Sequence, residues 1–125
     1  MARGTVTPGR GDIVYLNLDT PAWHGRLGPR SGSGGSGGGQ RGPALVLSPT
    51  AYNEATGHLI ACPIVHQTLG YPFEVALPTG AGVAGVILSD QPARLDWRSR
   101  RADFAARAPK STLEEVLGKL GAILA

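Results

Sequence analysis

Three groups of polar residues stand beside apolar, strand-like runs of the sequence and could do chemistry together. Arg41 precedes the second such run, His66 and Gln67 follow the third, and Asp90 and Gln91 follow a later one. A histidine and a carboxylate can exchange protons with a substrate, and an arginine can balance developing negative charge. Because loops at strand ends gather into clefts, we expect these groups to share one cleft.

Each of these residues also has an interpretation without a function. Arg41 could be a solvated loop arginine, His66 a surface histidine beside Gln67, and Asp90 the first residue of a turn. The residues alone leave both interpretations open.

Other common types of site have no counterpart in the sequence. The glycine-rich stretch lacks the Lys-Ser/Thr pair and the following helix of a phosphate-binding loop, and no nucleophile elbow is present. His24, His58 and His66 are scattered without metal-ligand spacing. Acid–base catalysis without a metal or cofactor is therefore the enzymatic function that the residues favour.

Short apolar runs separated by turns predict a compact, strongly bent antiparallel sheet that positions these residues. The predicted strands are 12–18, 43–47, 58–65, 73–77, 83–88 and a further short one at 96–101. Side chains of the first strand should alternate between the two faces of the sheet. Segment 49–57 is predicted to be a turn, and Pro63 is expected at an edge or a bulge because it lacks an N–H.

A single helix is predicted at the end of the chain. Residues 111–114 have the pattern of a capping box, in which Ser111 and Glu114 would satisfy backbone amides. Apolar residues then recur at three- and four-residue spacing and predict one buried face: Leu113, Val116, Leu117, Leu120, Ile123 and Leu124. The predicted fold class is therefore mainly β with a C-terminal α-helix.

Length and composition indicate one domain. The 125 residues include 19 glycines and 10 prolines, which favours a single core with short strands and many turns. The net charge of +3 is compatible with a polyanionic ligand, although a high-GC genome would enrich arginine equally. The sole cysteine, Cys62, is expected to be a buried structural thiol. No signal peptide or membrane-spanning run is present, so we expect a cytoplasmic protein.

The segment from about residue 20 to residue 42 is predicted to be a flexible loop within a single domain spanning residues 1–125. Its centre, Ser31–Gly39, contains only serine and glycine, a composition that behaves as flexible coil. Such a long connection is usually functional or disordered. It could equally be an engineered linker in place of a natural loop, and the sequence does not decide.

Five segments in a fixed order resemble the MazF/PemK (Kid) family of toxin endoribonucleases: RGDIVYLNLD, GPALVLSPTAYNEATG, CPIVHQ, GYPFEV and GVILSDQPARLDW. The resemblance implies a small SH3-like barrel with a C-terminal helix that forms a homodimer. It implies metal-independent cleavage of single-stranded RNA, including mRNA, at short sequences, which leaves a 2′,3′-cyclic phosphate and a 5′-hydroxyl and stops translation. It also implies neutralisation by the acidic tail of a MazE-like antitoxin.

The resemblance makes Arg41, His66 and Asp90 the candidate catalytic residues. Gly42 stands where the family has an arginine, so Arg41 is shifted by one position. Val65 stands where the family has threonine or serine, and His66 could substitute as acid, base or phosphate ligand. Asp90 matches the proposed general base of the Kid-like branch.

The candidate RNA-binding residues are His24, Gln67, Gln91, Arg94, Trp97 and Arg98. His24 matches a family histidine in the loop after the first strand, where Gly25 replaces the family's glutamate. The two arginines would contact phosphates and Trp97 would stack on a base. The alternative is a solvated basic strand with Trp97 in the core.

Two other functions remain open. The departures at Gly25, Gly42 and Val65 would suit a catalytically weakened toxin fold that binds RNA or an antitoxin. A gyrase-targeting relative is the third hypothesis, since one fold can host both activities.

Overall fold

The computed structural model of the chain describes residues 6–18, 41–68 and 70–125. Its elements are, in chain order, β1 (Asp12–Asn17), β2 (Arg41–Val46), α1 (Thr50–Thr56), β3 (His58–Val65), β4 (Glu74–Ala76), β5 (Val86–Leu88), β6 (Ala93–Asp96), β7 (Asp103–Arg107) and α2 (Lys110–Leu124). The strand predicted at 58–65 is confirmed to the residue. Those predicted at 12–18, 43–47, 73–77 and 83–88 are confirmed with shifted ends.

Two predictions about local structure are wrong. Segment 49–57 contains helix α1 rather than only a turn, and this helix ends where Gly57 adopts a left-handed φ of 74°. Residues 97–101 form a turn after β6 instead of a strand, and β7 follows that turn.

The loop predicted at about 20–42 ends earlier than expected, because Arg41 and Gly42 already belong to β2. Residues 20–40 lie outside the described residues.

All seven strands belong to one sheet of antiparallel pairs, in the order β4-β5-β3-β2-β1-β7, with β6 also paired to β3. Strand β3 lies at its centre, since it pairs with β2 along one side and with β6 and then β5 along the other. Among the described residues no ladder joins β4 to β7, so the sheet is not closed. The predicted fold class, mainly β with bent antiparallel strands and a C-terminal helix, is confirmed.

The loop between β4 and β5 covers part of the opening beside β7. A Cβ atom at Gly82 would lie only 3.0 Å from the Cβ atom of Ala106 in β7. Ala81 and Val83 pack against the same apolar cluster as Ala106. This loop therefore packs against β7, the strand at the other end of the sheet.

The sheet is buried on both faces. Ile13 belongs to one apolar cluster, which α2 covers, whereas Val14 and Leu16 belong to a second cluster that also contains Leu59 and Trp97. The predicted alternation of side chains along β1 is thus confirmed, and the two clusters hold the strand from both sides.

Pro63 was predicted at an edge or a bulge, but it does not lie at an edge, because β3 is central and Pro63 is buried opposite Ala44. Along its other side β3 pairs with β6 up to Ala61 and with β5 from Ile64 onward. Pro63 therefore falls between two partner strands, where the ladder on that side is already interrupted.

Helix α2 packs its apolar face on the first cluster, with Val116 fully buried and Leu113, Leu117 and Leu120 partly buried. The predicted stripe is confirmed up to Leu120. Beyond it the prediction is wrong, because Ile123 and Leu124 are exposed.

The predicted capping box is wrong. The helix begins at Lys110 after Pro109, and no side chain caps its first turn. Glu114 instead lies 4.0 Å from Lys110 as an exposed ion pair. Neither helix of the described chain is long and apolar enough to span a membrane.

Candidate active site

Arg41 is the first residue of β2, and its guanidinium joins three neighbouring segments. Nη1 donates to the side chain of Asn17 at 3.0 Å and to the carbonyl of Arg100 at 3.3 Å. Nη2 donates to the carbonyls of Tyr15 at 3.1 Å and Arg101 at 2.7 Å. These contacts tie the ends of β1 and β2 to the turn after β6.

The same guanidinium is paired with a carboxylate. Nη2 of Arg41 lies 3.1 Å from Oδ2 of Asp103, the first residue of β7. The side chain of Arg41 is 37% exposed, so its charge still reaches solvent. Both terminal nitrogens have acceptors, whereas Nε has no partner among the described residues.

His66 follows β3 directly and is exposed, as is Gln67. Strands β2 and β3 are antiparallel, with Ala44 opposite Pro63. The residue that follows β3 and the residue with which β2 begins therefore lie at the same end of the pair. The fold places Arg41 and His66 at this shared end, which we call the Arg41 end.

Asp90 lies elsewhere along β3. Strand β5 is antiparallel to β3, with Val65 opposite Val86, so β5 leads away from His66. Ser89 is level with Cys62, whose Sγ lies 3.7 Å from the Ser89 carbonyl. The register therefore groups Arg41 with His66 and separates Asp90 from both.

The Asp90 carboxylate is half-buried and held by a tyrosine. The hydroxyl of Tyr71 donates to Oδ1 of Asp90 at 2.8 Å. Gln91, the next residue, is also half-buried. The Tyr71 hydroxyl therefore fixes one oxygen of this carboxylate.

In the basic segment after β5, Trp97 is buried and Arg98 covers it. Trp97 is 1% exposed and donates its indole N–H to the carbonyl of Asn53 at 3.0 Å. It belongs to the apolar core, so its predicted role in stacking on a base is wrong. Arg98 is exposed and covers the indole, its guanidinium carbon 4.7 Å from the ring centroid.

Arg94, the other arginine of the candidate RNA-binding set, is exposed in β6. Its Nε donates to the hydroxyl of Tyr52 at 3.0 Å, so the side chain is held against α1. His24, the remaining member of that set, lies outside the described residues.

The turn after β6 is organised by Asp96. Its Oδ1 accepts the backbone N–H groups of Arg98 at 3.1 Å and Ser99 at 3.0 Å. These hydrogen bonds lower the pKa of Asp96, and the bond from Ser99 has the largest effect. The charge of His58 also lowers this pKa. At the end of the turn Arg101 adopts a left-handed φ of 59°, a strained conformation for a residue with a side chain.

Gly42, the residue after Arg41, packs closely against Leu18. It is buried in β2, and a Cβ atom there would lie 2.5 Å from Cδ1 of Leu18. A side chain at this position would force Leu18 to move.

Cys62 is a buried thiol, as predicted, and burial raises its pKa from 9.0 to about 12. The thiolate needed for nucleophilic chemistry is therefore scarce at neutral pH. Among the described residues no three His, Cys, Asp or Glu side chains lie close enough together to hold a metal ion.

Sequence reasoning missed three residues that hold the candidate catalytic side chains: Asn17, Tyr71 and Asp103. Asn17 gave a signal, since it is a polar residue in an apolar strand. Tyr71 and Asp103 lie in turn and strand segments whose pairing depends on the fold, and no local pattern distinguishes them.

Comparison with known proteins supports the family. Residues 9–124 match the family of PemK-like, MazF-like toxins of type II toxin-antitoxin systems. The chain is 33% identical over 117 residues to the endoribonuclease toxin MazF of Escherichia coli K12, covering 94% of both chains. The chain therefore belongs to the PemK/MazF toxin family.

Solved structures agree with this assignment. A crystal structure of MazF from Deinococcus radiodurans superposes with a TM-score of 0.78 at 48% identity, covering 96% of this chain and 98% of that one. A MazE-MazF crystal structure from the same organism matches at a TM-score of 0.75 and 45% identity, covering 95% and 97%.

Proposed function

We propose that the chain is an endoribonuclease toxin that cuts single-stranded RNA, with Arg41 and His66 at the centre of its cleavage site. The observation that carries this proposal is their placement at one end of the β2–β3 pair, in a family whose relatives are named endoribonucleases. An exposed imidazole and a fixed guanidinium at one end of a strand pair would provide a proton-transfer group and a positive charge.

The reaction proceeds by attack of the ribose 2′-oxygen on the adjacent phosphorus. A base removes the 2′-hydroxyl proton, the bond from phosphorus to the 5′-oxygen breaks, and an acid protonates that oxygen. The products are a 2′,3′-cyclic phosphate and a 5′-hydroxyl, and the balance requires no metal or other reactant. His66 serves as acid or base, and Arg41 stabilises the negative charge on the phosphorane.

Asp90 is the second candidate base. Asp90 and His66 are separated along β3. They would act in one site only if RNA or a second subunit bridged them. Gln67 lies beside His66 and is suited to contact the substrate there. Arg94 and Arg98 are exposed cations for phosphates, and His24 and Gln91 complete the proposed RNA-binding set.

In the cell, cleavage of mRNA by this activity would stop translation in the cytoplasm. A MazE-like antitoxin is the proposed inhibitor, because relatives at 45% identity include a MazF solved with MazE. A homodimer is the proposed assembly.

The assay for this function is cleavage of a long mixed-sequence RNA in EDTA by single-residue variants. His66→Ala should lower the rate by about 100-fold or more, the usual contribution of a positioned acid or base. His58→Ala is the matched control, since it removes a histidine at the opposite end of the same strand. Equal rates for both variants would refute the role of His66, and an Asp90→Asn loss would assign the base to Asp90 instead.

The second candidate function is a binding module for RNA or antitoxin without catalysis. Two observations favour it: both terminal nitrogens of Arg41 have protein acceptors, and Val65 supplies no hydroxyl. This function predicts tight binding of RNA with no cleavage even when protein exceeds RNA. Efficient turnover would eliminate it.

A further inference from the structure

A groove of about 1110 Å³ lies between the segment before β1, the turn after β6 and strands β1 and β7. We call it the β7 groove. Its apolar lining includes Val6, Pro8, Val14 and Phe104, and its basic lining includes Arg98 and Arg101. This groove could not be predicted from local sequence patterns, because its walls come from distant parts of the chain.

Phe104 is the unusual residue in the groove. It pairs across the ladder with Val14, which is buried, yet Phe104 itself is 64% exposed. A large aromatic side chain on a solvent-accessible wall offers a flat apolar surface. Such surfaces stack on bases of single-stranded nucleic acid, and removing one aromatic stack weakens binding about tenfold.

The charges in the groove favour an anionic ligand. Its two carboxylates are already paired, Asp12 with Arg107 at 2.7 Å and Asp103 with Arg41 at 3.1 Å. Arg98 and Arg101 form no ion pair with a described acidic residue. Among the described residues, the lining therefore presents two guanidinium groups without a carboxylate partner and one exposed aromatic ring.

The groove is continuous with the Arg41 end. Asp103 and Arg101 line the groove, and both accept hydrogen bonds from Nη2 of Arg41, through a carboxylate and a carbonyl oxygen respectively. A strand of RNA positioned for cleavage at the Arg41 end would enter the groove within a few nucleotides. This continuity distinguishes an RNA strand from an unrelated acidic peptide as the occupant.

We propose that the β7 groove binds the nucleotides that flank the cleaved bond, with Phe104 stacking on a base and Arg98 and Arg101 contacting phosphates. The inference rests on the proposed ribonuclease function and extends it by naming a binding subsite. Phe104 takes the stacking role that the sequence had suggested for Trp97.

The test measures binding of a fluorescent 12-nucleotide 2′-O-methyl RNA of mixed sequence, which cannot be cleaved because its 2′-oxygens are blocked. Phe104→Ala should weaken binding about tenfold, and Phe104→Tyr should retain it. Leu124→Ala, the truncation of another exposed apolar residue, is the control and should leave affinity unchanged. Arg98→Ala and Arg101→Ala should each reduce the salt slope of binding by about 0.7.

Cleavage kinetics separate this inference from the proposed function. Phe104→Ala should raise KM with kcat nearly unchanged, because Phe104 positions RNA without reacting with it. If the parent protein cleaves RNA and Phe104→Ala binds the probe normally, the groove assignment is wrong while the function stands. If the parent protein binds through Phe104 but never cleaves, the groove stands and the ribonuclease function fails.

Two other occupants would overturn the inference. Loss of affinity for an acidic peptide, but not for the RNA probe, in Phe104→Ala would make the groove a peptide site. A shift of Phe104→Ala from dimer to monomer in sedimentation would make it a subunit interface.

Discussion

Arg41 combines a proposed catalytic charge with a structural role at the residue scale. Its guanidinium contacts five acceptors in β1, β7 and the turn after β6. We expect Arg41→Ala to lower the free energy of unfolding by about 1–2 kcal/mol, since the site is partly exposed and solvent replaces part of the loss. Urea denaturation measures this change.

Arg94→Ala is the matched control, because Arg94 makes one exposed hydrogen bond to Tyr52. Its effect should stay within about 0.5 kcal/mol. Equal destabilisation by the two substitutions would contradict the structural role of Arg41. Cleavage by Arg41→Ala should be compared at a temperature where the variant is folded, so that lost catalysis is not mistaken for unfolding.

The buried thiol of Cys62 should make the free energy of unfolding fall at alkaline pH. Burial raises its pKa in the folded state to about 12, above the ordinary value of 9.0. The neutral thiol therefore favours the folded state fully below pH 9.0, and this contribution is lost as pH rises from 9.0 towards 12. Between these values the loss approaches about 1.4 kcal/mol per pH unit.

The measurement is urea denaturation of the parent protein and of Cys62→Ala between pH 8 and pH 11. The difference between their unfolding free energies should shrink as pH rises, because the variant lacks the titrating thiol. A difference that is constant with pH would show that the thiol ionises equally well in the folded protein.

At the scale of elements, helix α1 is held by one buried side chain. Asn53 accepts from the Ser48 hydroxyl at 2.6 Å and donates to the carbonyls of Pro8 at 2.7 Å and Ser48 at 3.1 Å. The backbone carbonyl of Asn53 accepts the indole N–H of Trp97. The helix therefore connects the segment before β1 with the core.

We expect Asn53→Ala to lower the unfolding free energy by about 2–4 kcal/mol, because buried polar partners lose their hydrogen bonds. Glu54→Ala, on the exposed side of the same helix, should change it by less than about 0.5 kcal/mol. Thermal or urea unfolding compares the two. A small effect of Asn53→Ala would mean that water replaces the amide in the core.

Elements with strong periodicity could be predicted from the sequence, and those fixed by tertiary contacts could not. Strand β3 and the stripe of α2 up to Leu120 follow from apolar patterns alone. Helix α1 has only seven residues and no continuous apolar face, since the polar Asn53 is its buried residue. Strand β7 carries Phe104 on an exposed wall, so its pattern does not resemble a buried strand.

The candidate site shows the same division. Arg41 and His66 could be placed at strand ends from sequence, because each flanks an apolar run. The partners that hold Arg41 come from β1, β7 and a turn, and only the register brings them together. Trp97 was misassigned because an indole beside arginines resembles a stacking surface until its burial is known.

At the scale of the whole molecule, the chain is proposed to work as a homodimer. The β3 face and Trp97 are buried within the chain, so a dimer interface must use other surfaces. Light scattering at micromolar concentration should give twice the mass of 12.9 kDa. A monomer at that concentration would contradict the proposal.

The most direct test of the central claim is to incubate the purified protein with a long mixed-sequence RNA in EDTA and map every new 5′ end. The proposed function predicts cuts at one short sequence motif, each leaving a 5′-hydroxyl. No cuts from a folded protein, or cuts that appear only with magnesium, would contradict it.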